Sequence, residues 1–129
     1  METLLRALLI EWLAADATLA GLVNAITEEA PSRTAPPWLG IAASASTDWS
    51  TKDRTGREVR VALELHCRGD DPGTAAATVE AIEARVADLP RSGPGLEVAS
   101  QTFLRARAEQ RAGNLRAVLL EYRFRLLAA

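Results

Sequence analysis

His66 and Cys67 are the single histidine and the single cysteine of this chain, and on residue type alone they could ligate a metal or form a nucleophile and base. They are neighbours in an alternating segment, where a strand sends successive side chains to opposite faces, so they cannot grip one ion or act as a dyad. The expected arrangement is Cys67 in the core and His66 on the wet face. The acidic pairs Glu28 and Glu29, and Asp70 and Asp71, could divide general acid and base roles only in a cleft that separates their pKa values. Both pairs fall in turn-like sequence, where capping and solubility explain them better. No G-x-G-x-x-G, P-loop or G-x-S-x-G pattern occurs, which leaves nucleotide and acyl-transfer chemistry without a footing. The expectation is a protein that makes contacts rather than an enzyme, with no metal and no cofactor.

Two other groups of residues suit contact. Arg105, Arg107, Arg111, Arg116, Arg123 and Arg125 concentrate positive charge near the C-terminus, diluted by Glu109 and Glu121. Such arginines favour cross-strand pairing or a subunit contact over a phosphate backbone. Trp49 stands in a polar excursion with Asp48, Ser50, Thr51, Lys52 and Asp53. An aromatic in a long loop is a natural anchor for a partner, since aromatic and Arg side chains dominate interface energetics. The competing reading folds Trp49 back onto the base of its own loop. Trp38, after two prolines at a strand start, and Tyr122, on an apolar strand face, are expected to be buried.

The elements that must position these residues follow from periodicity. Leu5, Leu8, Leu9, Trp12 and Leu13 share one arc of a helix over residues 2–15, with Arg6 and Glu11 outside it. Asp16 or Thr18 caps a shorter helix in which Leu19, Leu22 and Val23 face the core. Residues 24–30 hold a short extended piece, and Pro31, Pro36 and Pro37 make a constrained connector. Residues 38–45 form a strand. After the loop, Val59, Val61, Leu63, Leu65 and Cys67 alternate with Glu58, Arg60, Glu64, His66 and Arg68, which gives a strand with one wet face. Asp71 and Pro72 start a third helix whose face is Val79, Ile82, Val86 and Leu89, and Pro90 stops it. Residues 91–95 separate that helix from two extended segments, 96–107 and 115–127, paired as an antiparallel hairpin through a turn at Ala112, Gly113 and Asn114.

The expected fold is therefore α+β: an antiparallel or mixed sheet of about four strands with helices packed on one face, in a single domain over residues 1–129. A chain of this length can bury roughly two thirds of its unfolded surface in one core. The net charge of -2 argues against a general nucleic-acid binder. A lone cysteine in a strand interior fits a reducing compartment. Glu2, Arg6, Glu11 and Asp16 break up the N-terminal apolar run, so neither a membrane span nor a secretory signal is expected.

Taken together, LLRALLIEWLAADATLAGLV, the connector into PPWLGI, the loop STDWSTKD, the strand VRVALELHCR and the Ala-rich helix after it resemble the tail-completion, or tail terminator, proteins of long-tailed phages and gene transfer agents. The likeness runs over nearly the whole chain, and DWSTKD followed by the alternating strand is its most specific part. The resemblance implies a structural virion protein of the tail and neck, assembled in the host cytoplasm. It would form a hexameric ring on the head-proximal end of the tail tube, ending polymerisation and offering a surface for head-tail joining. The implied partners are copies of itself, the major tail tube protein and the head-tail connector protein, with DNA only in transit and no membrane. Asp48, Trp49, Ser50, Thr51, Lys52 and Asp53 would then touch the tube or a neighbouring subunit. Arg105, Arg107, Arg123 and Arg125 could line the channel or pair across the ring. Another connector or stopper of the neck is the alternative, followed by a small cytosolic ligand-binding domain.

Overall fold

The computed structural model describes residues 1–70 and 72–129; the helix-capping role expected of Asp71, and its pairing with Asp70, lie outside them. In chain order the elements are α1 (Glu2–Ala14), α2 (Ala17–Ala20), β1 (Trp38–Asp48), β2 (Gly56–Arg68), α3 (Pro72–Ala87), β3 (Ser92–Gly93), β4 (Leu96–Arg111) and β5 (Leu115–Ala128). The strands form one sheet in the order β1-β2-β5-β4-β3, every neighbour antiparallel. The sheet has five strands rather than about four. The extra one, β3, is a two-residue strand in the stretch expected to be a mere separator. Its short pairing to Leu96 and Glu97 rests on backbone geometry that leaves no hydrophobic pattern.

Alternation places the core as expected. Val59, Val61, Leu63 and Leu65 of β2 and Leu120, Tyr122, Phe124 and Leu126 of β5 point to one face, where Leu5, Leu9 and Leu13 of α1 and Ile82 and Val86 of α3 cover them. Each fully buried large aliphatic there contributes about 1.5–3 kcal/mol relative to exposure. Leu19 is buried in α2, whose first turn Asp16 caps by accepting from the Leu19 amide at 3.2 Å. Trp12 sits at the rim of this core. Its Nε1 donates to the Arg85 carbonyl (2.7 Å), Arg85 Nε donates to the Trp12 carbonyl (2.8 Å), and the guanidinium lies 3.4 Å from the ring centroid, clasping α1 to α3.

The expected short extended piece is present as residues 24–28, which run along the outer side of β1. Ile26 bridges Leu39 in parallel, and the Leu39 and Ile41 amides donate to Ala25 and Glu28. Arg6 ties the same corner together: Nε donates to Glu28 (2.6 Å) and Nη1 to Ser44 (2.9 Å), with Glu2 on its other side. Burial opposes ionisation of Glu2, but hydrogen bonds from Ser46 and Ser44 and the Arg6 charge hold its carboxyl below the usual range. Bulges interrupt β1 between Ile41 and Ala43, and β4 between Val98 and Ser100 and between Phe103 and Arg105. Bulges bend and twist a strand, which curls the sheet at both of its long outer strands.

Tyr122, the single tyrosine, is buried, and desolvation together with the Glu83 charge pushes its phenol from 10.0 up to about 12. The folded chain therefore keeps a proton that the unfolded chain releases. The resulting stability is fully present below about pH 10 and is lost as pH rises through about 12. In an absorbance titration the phenolate should appear near pH 12 without denaturant and near 10 in denaturant. A midpoint near 10 in protein still folded by circular dichroism would contradict the desolvated placement.

Candidate contact surface

The loop expected to make contact closes the β1–β2 hairpin as residues 49–55, so it is shorter than the sequence implied: β1 continues through residues 46–48, and Asp48 ends the strand instead of lying in the loop. The small polar side chains of Ser46, Thr47 and Asp48 look like loop in a sequence, yet they pair in register with β2. Hydrogen bonds stiffen what remains. The Trp49 amide donates to Gly56 O (3.0 Å). Ser50 Oγ accepts from the Gly56 amide (3.0 Å) and donates to Asp48 (2.7 Å), and Thr51 Oγ1 accepts from the Arg54 amide (3.0 Å). Arg54 then braces the loop against the sheet, its Nε and Nη2 donating to the Ala128 carbonyl at 3.1 and 2.6 Å and its Nη1 meeting Glu97 at 2.8 Å. No local pattern marks Arg54 for this role, because its partner lies 74 residues away.

Asp48, Ser50, Thr51, Lys52 and Asp53 are exposed, whereas Trp49 is half-buried. The Arg125 guanidinium lies 5.7 Å from the Trp49 ring centroid, so residues from the two candidate groups meet at one place. One side of Trp49 rests on the base of its own loop, as the competing reading has it, and the rest remains open. Gly56 makes the approach possible. A Cβ there would come within 2.4 Å of Trp49 O and 2.8 Å of Leu126 O.

Arg105, Arg107, Arg123 and Arg125 lie on the sheet face opposite the helices, whereas Arg116 pairs with Cys67 on the helix side. Arg123 and Arg125, on the inner strand β5, are partly covered and face Glu58 at 3.9 and 3.1 Å. Arg105 and Arg107, on β4, are 63% and 49% exposed and converge on Glu121. Hydrogen bonding by Arg105, against a smaller effect of burial and aided by the charges of Arg105 and Arg107, holds the Glu121 carboxyl below its usual range. Cross-strand pairing of this kind is the arrangement expected of arginines on strand faces. Trp38 is buried as expected but on this same outer face, stacked on His66 with centroids 4.9 Å apart. The expectation of a wet His66 holds for the face and fails for exposure, since Trp38 covers it.

Cys67 is buried on the opposite face, where its thiol contacts the Arg116 carbonyl at 3.6 Å; burial, opposed by the Arg116 charge, pushes its pKa up and leaves it a poor nucleophile. Among the described residues no group of three or more His, Cys, Asp or Glu is placed to hold a metal ion, and no helix is long and apolar enough to cross a membrane. A hollow between α1 and β3 is lined mainly by Leu5, Leu8, Trp12, Leu89, Pro90 and Leu96, with Glu11 as its one ionisable acid.

The domain is thus α+β: a curled antiparallel sheet with a helix layer on one face and a braced polar loop at one end. The chain belongs to the family described as tail completion protein gp17, whose model matches residues 7–127. A chain in the structure titled "Virion of native gene transfer agent (GTA) particle" has the same fold, with a TM-score of 0.70 and 25% identity over 97% of this chain and 95% of that one. No curated protein sequence matches. Family and fold together make this chain a structural protein of a phage-type virion tail.

Proposed function

We propose that the protein caps the head-proximal end of the tail tube as a ring, ends tube polymerisation and presents the surface to which the head joins. Membership of the tail completion family over nearly the whole chain carries this reading. The braced loop supports it, because a contact element held by Arg54 and the Gly56 backbone loses little conformational entropy on docking. In this reading Asp48, Trp49, Ser50, Thr51, Lys52 and Asp53 meet the tube or a neighbouring subunit, Trp49 being the anchor. The partners are further copies of the chain, the tube protein and the connector protein.

Deleting the gene and imaging particles by electron microscopy tests the cap. Overlong or unjoined tails are expected; tails of normal length on attached heads would sink it. Trp49→Ala tests the anchor. It removes one cation–π contact worth about 0.5–1 kcal/mol, too little to unfold the domain, so head attachment should fall while the far-ultraviolet spectrum stays unchanged. Unimpaired joining by this variant would remove Trp49 from the interface.

A further inference from the structure

Both outer long strands leave part of an edge open, and the two open stretches are complementary. On β4 the strand β3 covers only Leu96 and Glu97, and the Val98 amide reaches Arg91; among the described residues nothing pairs with the outer side of residues 100–111. On β1 the strap of residues 24–28 stops at Ile41, leaving residues 43–48 open. Long open edges invite pairing, and isolated proteins usually blunt them with charge, proline or a covering segment. Here the β4 edge carries, beside Arg105, Arg107 and Arg111, the exposed large hydrophobics Phe103 and Leu104, at 48% and 37%.

Resting on the ring reading above, we infer that the open edge of β4 pairs antiparallel with the open edge of β1 in the next copy of this chain. Direction is the first support. The long strands alternate across the sheet in the order β1-β2-β5-β4, so β1 and β4 run oppositely, and a copy rotated about an axis along the strands brings its β1 to β4 antiparallel. Height is the second. Ala43 is linked through Ala62 and Glu121 to Arg105, and Ser46 through Val59 and Phe124 to Gln101, which sets the two open stretches at overlapping levels of the sheet.

Side chains and charge agree. The β1 stretch offers Ala43, Ser44, Ala45 and Ser46, small groups that leave room for Phe103 and Leu104 of the neighbour. Residues 100–111 carry Arg105, Arg107 and Arg111 against Glu109 alone, and Glu28, whose carbonyl accepts from the Ile41 amide, sets a carboxylate shared with Arg6 beside β1 at the level of Ala106. Two different edges meeting head to tail make a heterologous contact, the kind that closes into a ring when the rotation allows. The bulges in β1 and β4 supply the curvature that closing a continuous sheet requires.

The test is a disulfide scan in assembled particles: Leu104→Cys combined in turn with Ser44→Cys, Ala45→Cys, Ser46→Cys and Thr47→Cys. Non-reducing electrophoresis should show a ladder rising to the closed oligomer. The ladder should be strong at alternate positions, because successive strand residues point to opposite faces, and absent from each single variant. Particles that contain the double variants but give no ladder, or an equal ladder at all four positions, overturn the pairing. As a check independent of substitution, amide exchange on the unmodified protein should slow at residues 43–48 and 100–105 on assembly. Protection there without a ladder assigns the edges to another virion protein and also overturns it. Tails that remain capped while the ladder fails overturn only the edge pairing; a ladder with tails indifferent to loss of the protein overturns only the cap.

Discussion

Replacing Gly56 by alanine should destabilise the domain by about 3 kcal/mol, the upper end of overpacking costs, and abolish head joining. The new Cβ would lie 2.4 Å from Trp49 O and 2.8 Å from Leu126 O. Both are backbone atoms, Leu126 in the β2–β5 ladder and Trp49 next to the hydrogen bond from its own amide to Gly56 O, so neither can swing aside as a side chain would. Relief requires opening the hairpin at its closing pair, which also releases the Gly56 amide from Ser50 Oγ and shifts Trp49 from Arg125. Urea denaturation measures the first effect and counts of tailed heads the second. A variant of native stability and full joining would show that the loop closure is looser than its geometry implies.

Phe124→Ala should cost about 3–5 kcal/mol. Phe124 is fully buried at the centre of the sheet, in register with Val59 on one side and Gln101 on the other, and its ring lies 6.1 Å from that of Tyr122. The strands around it are tied to both neighbours, so the site cannot collapse to fill the void. Against a total stability of about 5–15 kcal/mol, a loss of this size leaves a chain that is marginal at physiological temperature. Equilibrium unfolding should show the midpoint falling well below the wild-type value, with Phe124→Leu intermediate. A loss under about 1 kcal/mol would mean that the core repacks freely.

These two positions differ in how readily a sequence reveals them. Phe124 sits in a run where apolar and charged residues alternate, and the pattern that buries Val59, Val61, Leu63 and Leu65 is local, so the two central strands and the helix faces were legible from the chain alone. Gly56 was not, because its importance lies in the close approach of Leu126, 70 positions on. The same holds for the Arg54 hold on Ala128, for the Trp12 and Arg85 clasp and for the strap beside β1, each made by groups that long chain segments separate. Two-residue β3 leaves no periodicity to read. The polar composition of residues 46–48 pointed to loop, and cross-strand pairing overrode it. For the contact surface, residue types located Trp49 and the arginines, but folding brought Trp49 to Arg125 and separated Arg105 and Arg107 from the inner strand.

The sheet also has a mechanical consequence. The braced loop stands at one end of the strands and the turn at Ala112, Gly113 and Asn114 at the other, where the Gly69 amide donates to Asn114 O. A pull between those ends runs along the strands, so the thirteen register pairs joining β2 to β5 are loaded together in shear instead of being peeled apart one after another. In the proposed cap, a pull between head and tail would fall across a joint that resists sliding better than unzipping.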